Sequence, residues 1–351
     1  MALAAQYSRT APLFEVLARI PHRTAELREL VPRLEPVDLV SAAARHGVSA
    51  WVAEAFSAER LTFAAQAQLI ADARATVASA HKIKRLTLAV IDALATTGVE
   101  PVALKGAVLA QRLYPHSPLC RPSTDVDVLV RPDELPRVAT VLEAMSLARQ
   151  VDQALGDVFE DHHHLSFAGP PGLVEVHFRL ISTLGRGLFD DASVRARTSA
   201  FTFEGRRVLV LSPEDEFLYL ATHAANHGFL RIGWLVDLQQ FLRYHPALDF
   251  EAIAERARDA GFLQALSVTL GLLEGLLAVE LPRAARIAVP PRRRRWVDAA
   301  LFSGARVERA SLSGHRLGGF ALRLWLVDSP RRGFRHVLDG LRRYARRGAP
   351  S

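Results

Sequence analysis

Leu104-Lys105-Gly106-Ala107, followed by Arg121-Pro122-Ser123-Thr124-Asp125-Val126-Asp127-Val128-Leu129-Val130, is the part of the chain whose reading decides the fold. The second stretch alternates as a strand does. Side chains two apart in a strand project to one face, so Asp125 and Asp127 can present both carboxylates to one site while Val126 and Val128 pack behind. Two carboxylates held so close repel unless a cation or a proton lies between them. Mg²⁺ meets that need, because it favours oxygen ligands and commonly joins one or two carboxylates to substrate phosphates.

Working outward, residues 107–114 read as a helix, and Arg131-Pro132-Asp133 opens another. Residues 164–167 and 173–178 are strand-like runs joined by Ala168-Gly169-Pro170-Pro171-Gly172, a hairpin connection. Glu175 and His177 share one face of the second run, with Val174, Val176 and Phe178 on the other. If this hairpin lies beside the Asp125 strand, Glu175 completes an acidic triad of the kind that serves a two-metal displacement. A further strand is expected over 207–211. Upstream, Ile83, Leu86, Val90 and Leu94 recur in steps of three or four, which predicts a long helix over 61–95 that stops at Thr96-Thr97-Gly98. Downstream, Ser212-Pro213-Glu214-Asp215 has a helix start written into it: a capping serine, proline in the first turn and acids near the positive end of the dipole. The expected class is therefore α+β, with a small mixed-sheet core over 99–211 between a helical module over 1–98 and a second helical module over 212–351.

Composition narrows the setting. The chain has 351 residues, half of them apolar, enough for a substantial core. Its single cysteine, Cys120, excludes an internal disulfide framework and a cysteine-built zinc cluster. The first twenty residues lack the basic start and unbroken apolar run of a secretory signal, and polar residues interrupt the apolar stretch over 263–281, so a soluble cytoplasmic protein without a membrane span is expected. The net charge of +7 is uneven: residues 292–351 hold fifteen arginines against four acids, which leaves the remainder net negative. Contact with a polyanion through Arg292–Arg347 and a plain solvated basic face are both open readings of that tail.

The run from Lys105-Gly106 through Arg121 to Asp125-x-Asp127, and then Glu175-x-His177, resembles the nucleotidyltransferase superfamily, in particular its bacterial group of nucleotidyltransferase family proteins. Leu211-Ser212-Pro213-Glu214-Asp215, His223, His227, Trp234 and Asp237 look like the helical continuation of that group. The resemblance implies a polymerase-β-like palm and transfer of NMP from an NTP, with Asp125, Asp127 and Glu175 as both the metal ligands and the catalytic acids. The implied cofactor is Mg²⁺, with Mn²⁺ as the alternative, and the acceptor is a small molecule, a peptide or an RNA. The chain departs from the wider superfamily in placing Gly106 nineteen positions before Asp125 and in lacking a serine after it.

Other residues receive expectations of their own. Lys105 and Arg121 are assigned to phosphate charge, the latter through a bidentate contact, and Gly106 to close approach of backbone amides to a phosphate. His164, His177, His223 and Asp237 are placed at the acceptor or behind the metal ligands. Each has a plain counterpart: a packed histidine, a surface ion pair or a turn glycine. His223 and His227 are four apart on a helix, but without the glutamate of a His-Glu-x-x-His metalloprotease. A nucleotide- or RNA-binding module that keeps the fold without turnover is the rival reading.

Overall fold

A computed structural model describes residues 16–17, 27–33, 35–150, 163–180, 191–229 and 231–289. The arginine-rich tail lies outside the described residues. The N-terminal helices are α1 (Pro36–His46), α2 (Ser49–Ala58) and α3 (Gln66–Ala95). The core follows as β1 (Val102–Ala103), α4 (Gly106–Leu113), β2 (Val126–Leu129), α5 (Leu135–Ala144), β3 (Ala148–Arg149), β4 (His164–Gly169), β5 (Gly172–His177), α6 (Asp191–Ala196), β6 (Ser199–Phe203) and β7 (Arg206–Val210). Five helices close the described chain: α7 (Pro213–Asn226), α8 (Ile232–Tyr244), α9 (Phe250–Ala260), α10 (Leu263–Leu277) and α11 (Arg283–Ala288). Among the described residues no helix is long and apolar enough to cross a membrane.

The seven strands form one mixed sheet in the order β3-β4-β5-β2-β1-β7-β6. Its central pairing is parallel: β2 lies beside β5, with Asp127 opposite Glu175 and Val128 opposite Val176. The β4–β5 hairpin places His164 opposite His177. Val126, Val128, Val174 and Val176 all face away from the acids and are buried, each contributing roughly 1.5–3 kcal/mol by burial. They pack with Ile83, Leu86, Val90 and Leu94 of α3 and with Val138 and Leu142 of α5.

Two elements depart from the expectation. Helix α3 belongs to the N-terminal run in sequence, yet its C-terminal half covers the sheet. The second is β6, an edge strand paired antiparallel to β7, with Phe203 buried and Ser199, Ala200 and Thr202 exposed. A separate and larger core joins helices that precede and follow the sheet in sequence: Leu39, Val52 and Phe56 pack with Phe217, Phe241 and Leu266. Helix α7 starts where the sequence indicates, because the Ser212 side chain accepts a hydrogen bond from the Asp215 amide and Pro213 follows it.

Candidate active site

The site is built at the end of β1 and the start of β2, beside β5. Asp127 is the second residue of β2, and Asp125 lies two residues before it at the strand entrance. Glu175 and His177 come from β5, brought level with β2 by the parallel register. Lys105 stands between β1 and α4, with Leu104 donating its amide to the Asp127 carbonyl at 3.1 Å. The backbone turns into α4 at Gly106, whose φ of 66° lies in the left-handed region that favours glycine. A Cβ there would meet the Asp125 carbonyl oxygen at 3.4 Å, an ordinary contact, so it is the backbone conformation and not the space that calls for glycine.

Asp127 is the electrostatic centre. It is 3% exposed, and Lys105 Nζ lies 3.0 Å and His177 Nε2 3.2 Å from the same oxygen, Oδ1. Burial by itself would raise its pKa, but Lys105 and the hydrogen bond from His177 hold it far below the ordinary carboxylate range. Burial likewise opposes the charge on Lys105 and on His177, and in both cases Asp127 outweighs it, joined by Glu175 at His177, so both pKa values rise. Glu175 is held below its usual range chiefly by His177, 3.7 Å away. Asp125 is different. Burial and the neighbouring Asp127 push it up to about 6, against the pull of Lys105.

Three carboxylates thus share Lys105 and the imidazoles of His177 and His164. That deficit of positive charge is what a divalent cation would fill, and the donors suit it: ligand atoms of Asp127, Glu175 and His177 all lie within 4.8 Å of one another. Two carboxylates and one imidazole so placed can hold a divalent ion, and Asp125 is not part of this grouping.

The remaining expected residues divide into two groups. His164 stands at the site, with Nε2 3.8 Å from Glu175 Oε1. His223 of α7 feels the charges of Lys105, Asp127 and His177; burial and Lys105 push its pKa well below the ordinary value, so the ring is neutral near pH 7. Trp234 of α8 meets His223 edge-on at 5.2 Å between ring centroids. Arg121 and Asp237 instead turn to each other. The guanidinium Nε and Nη2 bond both Asp237 oxygens at 2.8–3.1 Å, its Nη1 reaches the Gly106 and Pro122 carbonyls at 3.4 Å, and both side chains are buried. Arg121 thus makes a bidentate contact with a carboxylate of α8.

Other residues at the site escape a reading of the sequence. Tyr114 donates its hydroxyl to Asp237 Oδ1 at 3.0 Å, and no local pattern marks it. Tyr219 is buried in the field of Lys105, Asp127, Glu175 and Asp125; its place four residues before His223, on the same helix face, was the available signal.

No curated protein and no solved structure matches the chain in comparison searches. A family model described as an uncharacterised nucleotidyltransferase matches residues 32–278, a span that takes in α1, α2 and α3, the whole sheet with its acids, and the helices through α10. The chain belongs to that nucleotidyltransferase family.

Proposed function

We propose that the protein transfers a nucleotidyl group from an NTP to a hydroxyl- or phosphate-bearing acceptor, with Asp125, Asp127 and Glu175 holding Mg²⁺ or Mn²⁺. The observation that carries this reading is the parallel register that sets Asp127 beside Glu175, within reach of Lys105. The bound ion would supply Lewis-acid stabilisation of the charge that builds on the phosphate oxygens during displacement. In the overall reaction an acceptor oxygen bonds to the α-phosphorus, the bond from α-phosphorus to the bridging oxygen breaks, and pyrophosphate leaves with its electron pair.

The chain's own groups then have separate tasks. Lys105, bonded to Asp127 before substrate arrives, brings a positive charge to the phosphates, and the Gly106 turn lets main-chain amides approach them. Glu175 takes the acceptor proton at Oε1 or Oε2. His164 and His177 flank that carboxylate at 3.8 and 3.7 Å, and the half-buried His164 offers the proton a way out. Arg121 works at one remove, tying Asp237 of α8 to the Gly106 and Pro122 carbonyls and so holding the loop that leads to Asp125.

The binding-module reading draws on one observation: Asp127 is almost wholly enclosed and already carries Lys105 and His177. Incubation with α-phosphate-labelled NTPs, with and without Mg²⁺ or Mn²⁺ and across hydroxyl-bearing small molecules, peptides and RNA, decides between them. Metal-dependent transfer of label that disappears in Asp127→Asn supports catalysis. Tight NTP binding with no transfer to any acceptor class, and no release of pyrophosphate, supports the module.

A further inference from the structure

We propose that His163, His164 and His177 form a second metal site, selective for a borderline-soft divalent ion of the Zn²⁺ class. The three rings converge, with centroids 4.3 Å (His163–His164), 5.1 Å (His164–His177) and 5.4 Å (His163–His177) apart. Each offers a nitrogen within 4.8 Å of a nitrogen from both others. His164 Nδ1 and His163 Nε2 lie 3.0 Å apart and share a hydrogen bond whose donor is set by the tautomer, so both rings turn a nitrogen to the same point. His177 has spare ligating capacity as well: its Nδ1 is buried with no hydrogen-bond partner among the described residues.

The surroundings are those that a metal-binding imidazole needs. Asp127 stands behind His177 at 3.2 Å and Glu175 stands by His164 at 3.8 Å, and carboxylates in such positions fix ring orientation and raise ligand basicity. The backbone holds the trio in place, since His164 is the register partner of His177. The His163 carbonyl accepts from the Phe178 amide at 3.0 Å and from the Arg179 amide at 3.3 Å. His163 and His164 are half-buried, so an ion can enter from their side, while His177 closes the inner wall. Imidazole nitrogen selects Zn²⁺, Co²⁺ or Ni²⁺ over Mg²⁺, which separates this site chemically from the carboxylates beside it. An ion held here fixes the His177 ring on which both Asp127 and Glu175 lean, and so couples zinc availability to the neighbouring acids.

The full chain, stripped with a chelator and kept in excess Mg²⁺, is titrated with Zn²⁺ by calorimetry and with Co²⁺ by its visible absorption, which reports nitrogen ligation. One tight Zn²⁺ per chain is expected. His163→Ala and His164→Ala should each weaken it by more than the ~10–100-fold that follows loss of a residue behind a ligand, while Asp125→Asn should retain it. Circular dichroism checks the fold, and His163→Gln, which keeps bulk, replaces the alanine variant if that unfolds. Zn²⁺ affinity unchanged in both histidine variants, or a Co²⁺ spectrum without nitrogen ligation, overturns the site. Its fate is separable from that of nucleotidyl transfer: absence of label transfer with zinc binding intact removes only the catalytic reading.

Discussion

Asp127 and Asp237 are equally buried, at 3% exposure each, and each has a cationic partner, yet they do opposite things. Asp237 receives a whole guanidinium across both oxygens and a tyrosine hydroxyl besides, so its charge is matched where it stands. Asp127 shares one lysine and one imidazole with Asp125 and Glu175, and both its contacts fall on a single oxygen. The closed pair ties two parts of the fold together. The open cluster keeps an unsatisfied demand for positive charge, and that demand is where a ligand can act. Buried charge alone is therefore a poor marker of function; charge left unmatched by its neighbours is a better one.

The contrast is broken most sharply at Asp127. Asp127→Asn keeps the size and removes the charge, so metal-dependent label transfer should fall to background while the far-ultraviolet spectrum is retained. A variant with full activity would remove Asp127 from the metal set.

Glu175→Gln comes next. Turnover should drop by about two to four orders of magnitude, the scale for losing a positioned base, with NTP affinity by calorimetry nearly unchanged because Asp125 and Asp127 still hold the ion. Loss of NTP binding in parallel would make Glu175 a binding residue and nothing more.

On the closed side, Asp237→Asn should cost stability more than chemistry. Removing one partner of a buried ion pair leaves the other uncompensated, typically at about 3–5 kcal/mol, which denaturant unfolding would detect. If stability holds while kcat collapses, Arg121 and Asp237 belong to the catalytic set and the distinction fails.

The smallest effect concerns a second closed pair, in which Arg112 bonds both oxygens of Glu216 at 2.6 and 2.7 Å. Burial nevertheless pushes the Glu216 carboxyl up to about 7. The folded state then holds a proton that the unfolded state releases above its ordinary value of 4.5. This contribution to stability is complete below about 4.5 and is lost as pH rises through about 7. Unfolding midpoints between pH 5 and pH 8 should decline more in the native protein than in Glu216→Gln; equal slopes would show that Glu216 is ionised throughout.

Much of this was legible beforehand because strand and helix periods are local properties. The period of two in Asp125-Val126-Asp127-Val128 and in Val174-Glu175-Val176-His177 placed acids on one side and valines on the other, as the buried valines show. Ser212 and Pro213 marked a helix start through capping chemistry confined to one turn. The edge strand β6 was not read, although Phe201 and Phe203 flank Thr202 with a period of two, because the run is only five residues long.

The sequence by itself determined the faces: which side chains of each strand and helix point together, and hence which residue types were candidates for a site. The tertiary structure alone decided the partners. That β2 pairs in parallel with β5, that Arg121 finds Asp237 at 116 positions' separation, and that α3 covers the sheet while α1 and α2 share a core with the C-terminal helices are all non-local outcomes. Periodicity specifies a direction relative to one backbone. A partner is chosen by the burial and charge balance of the whole packed chain, in which Arg121 is neutralised by a carboxylate of α8 that no nearby residue could foretell.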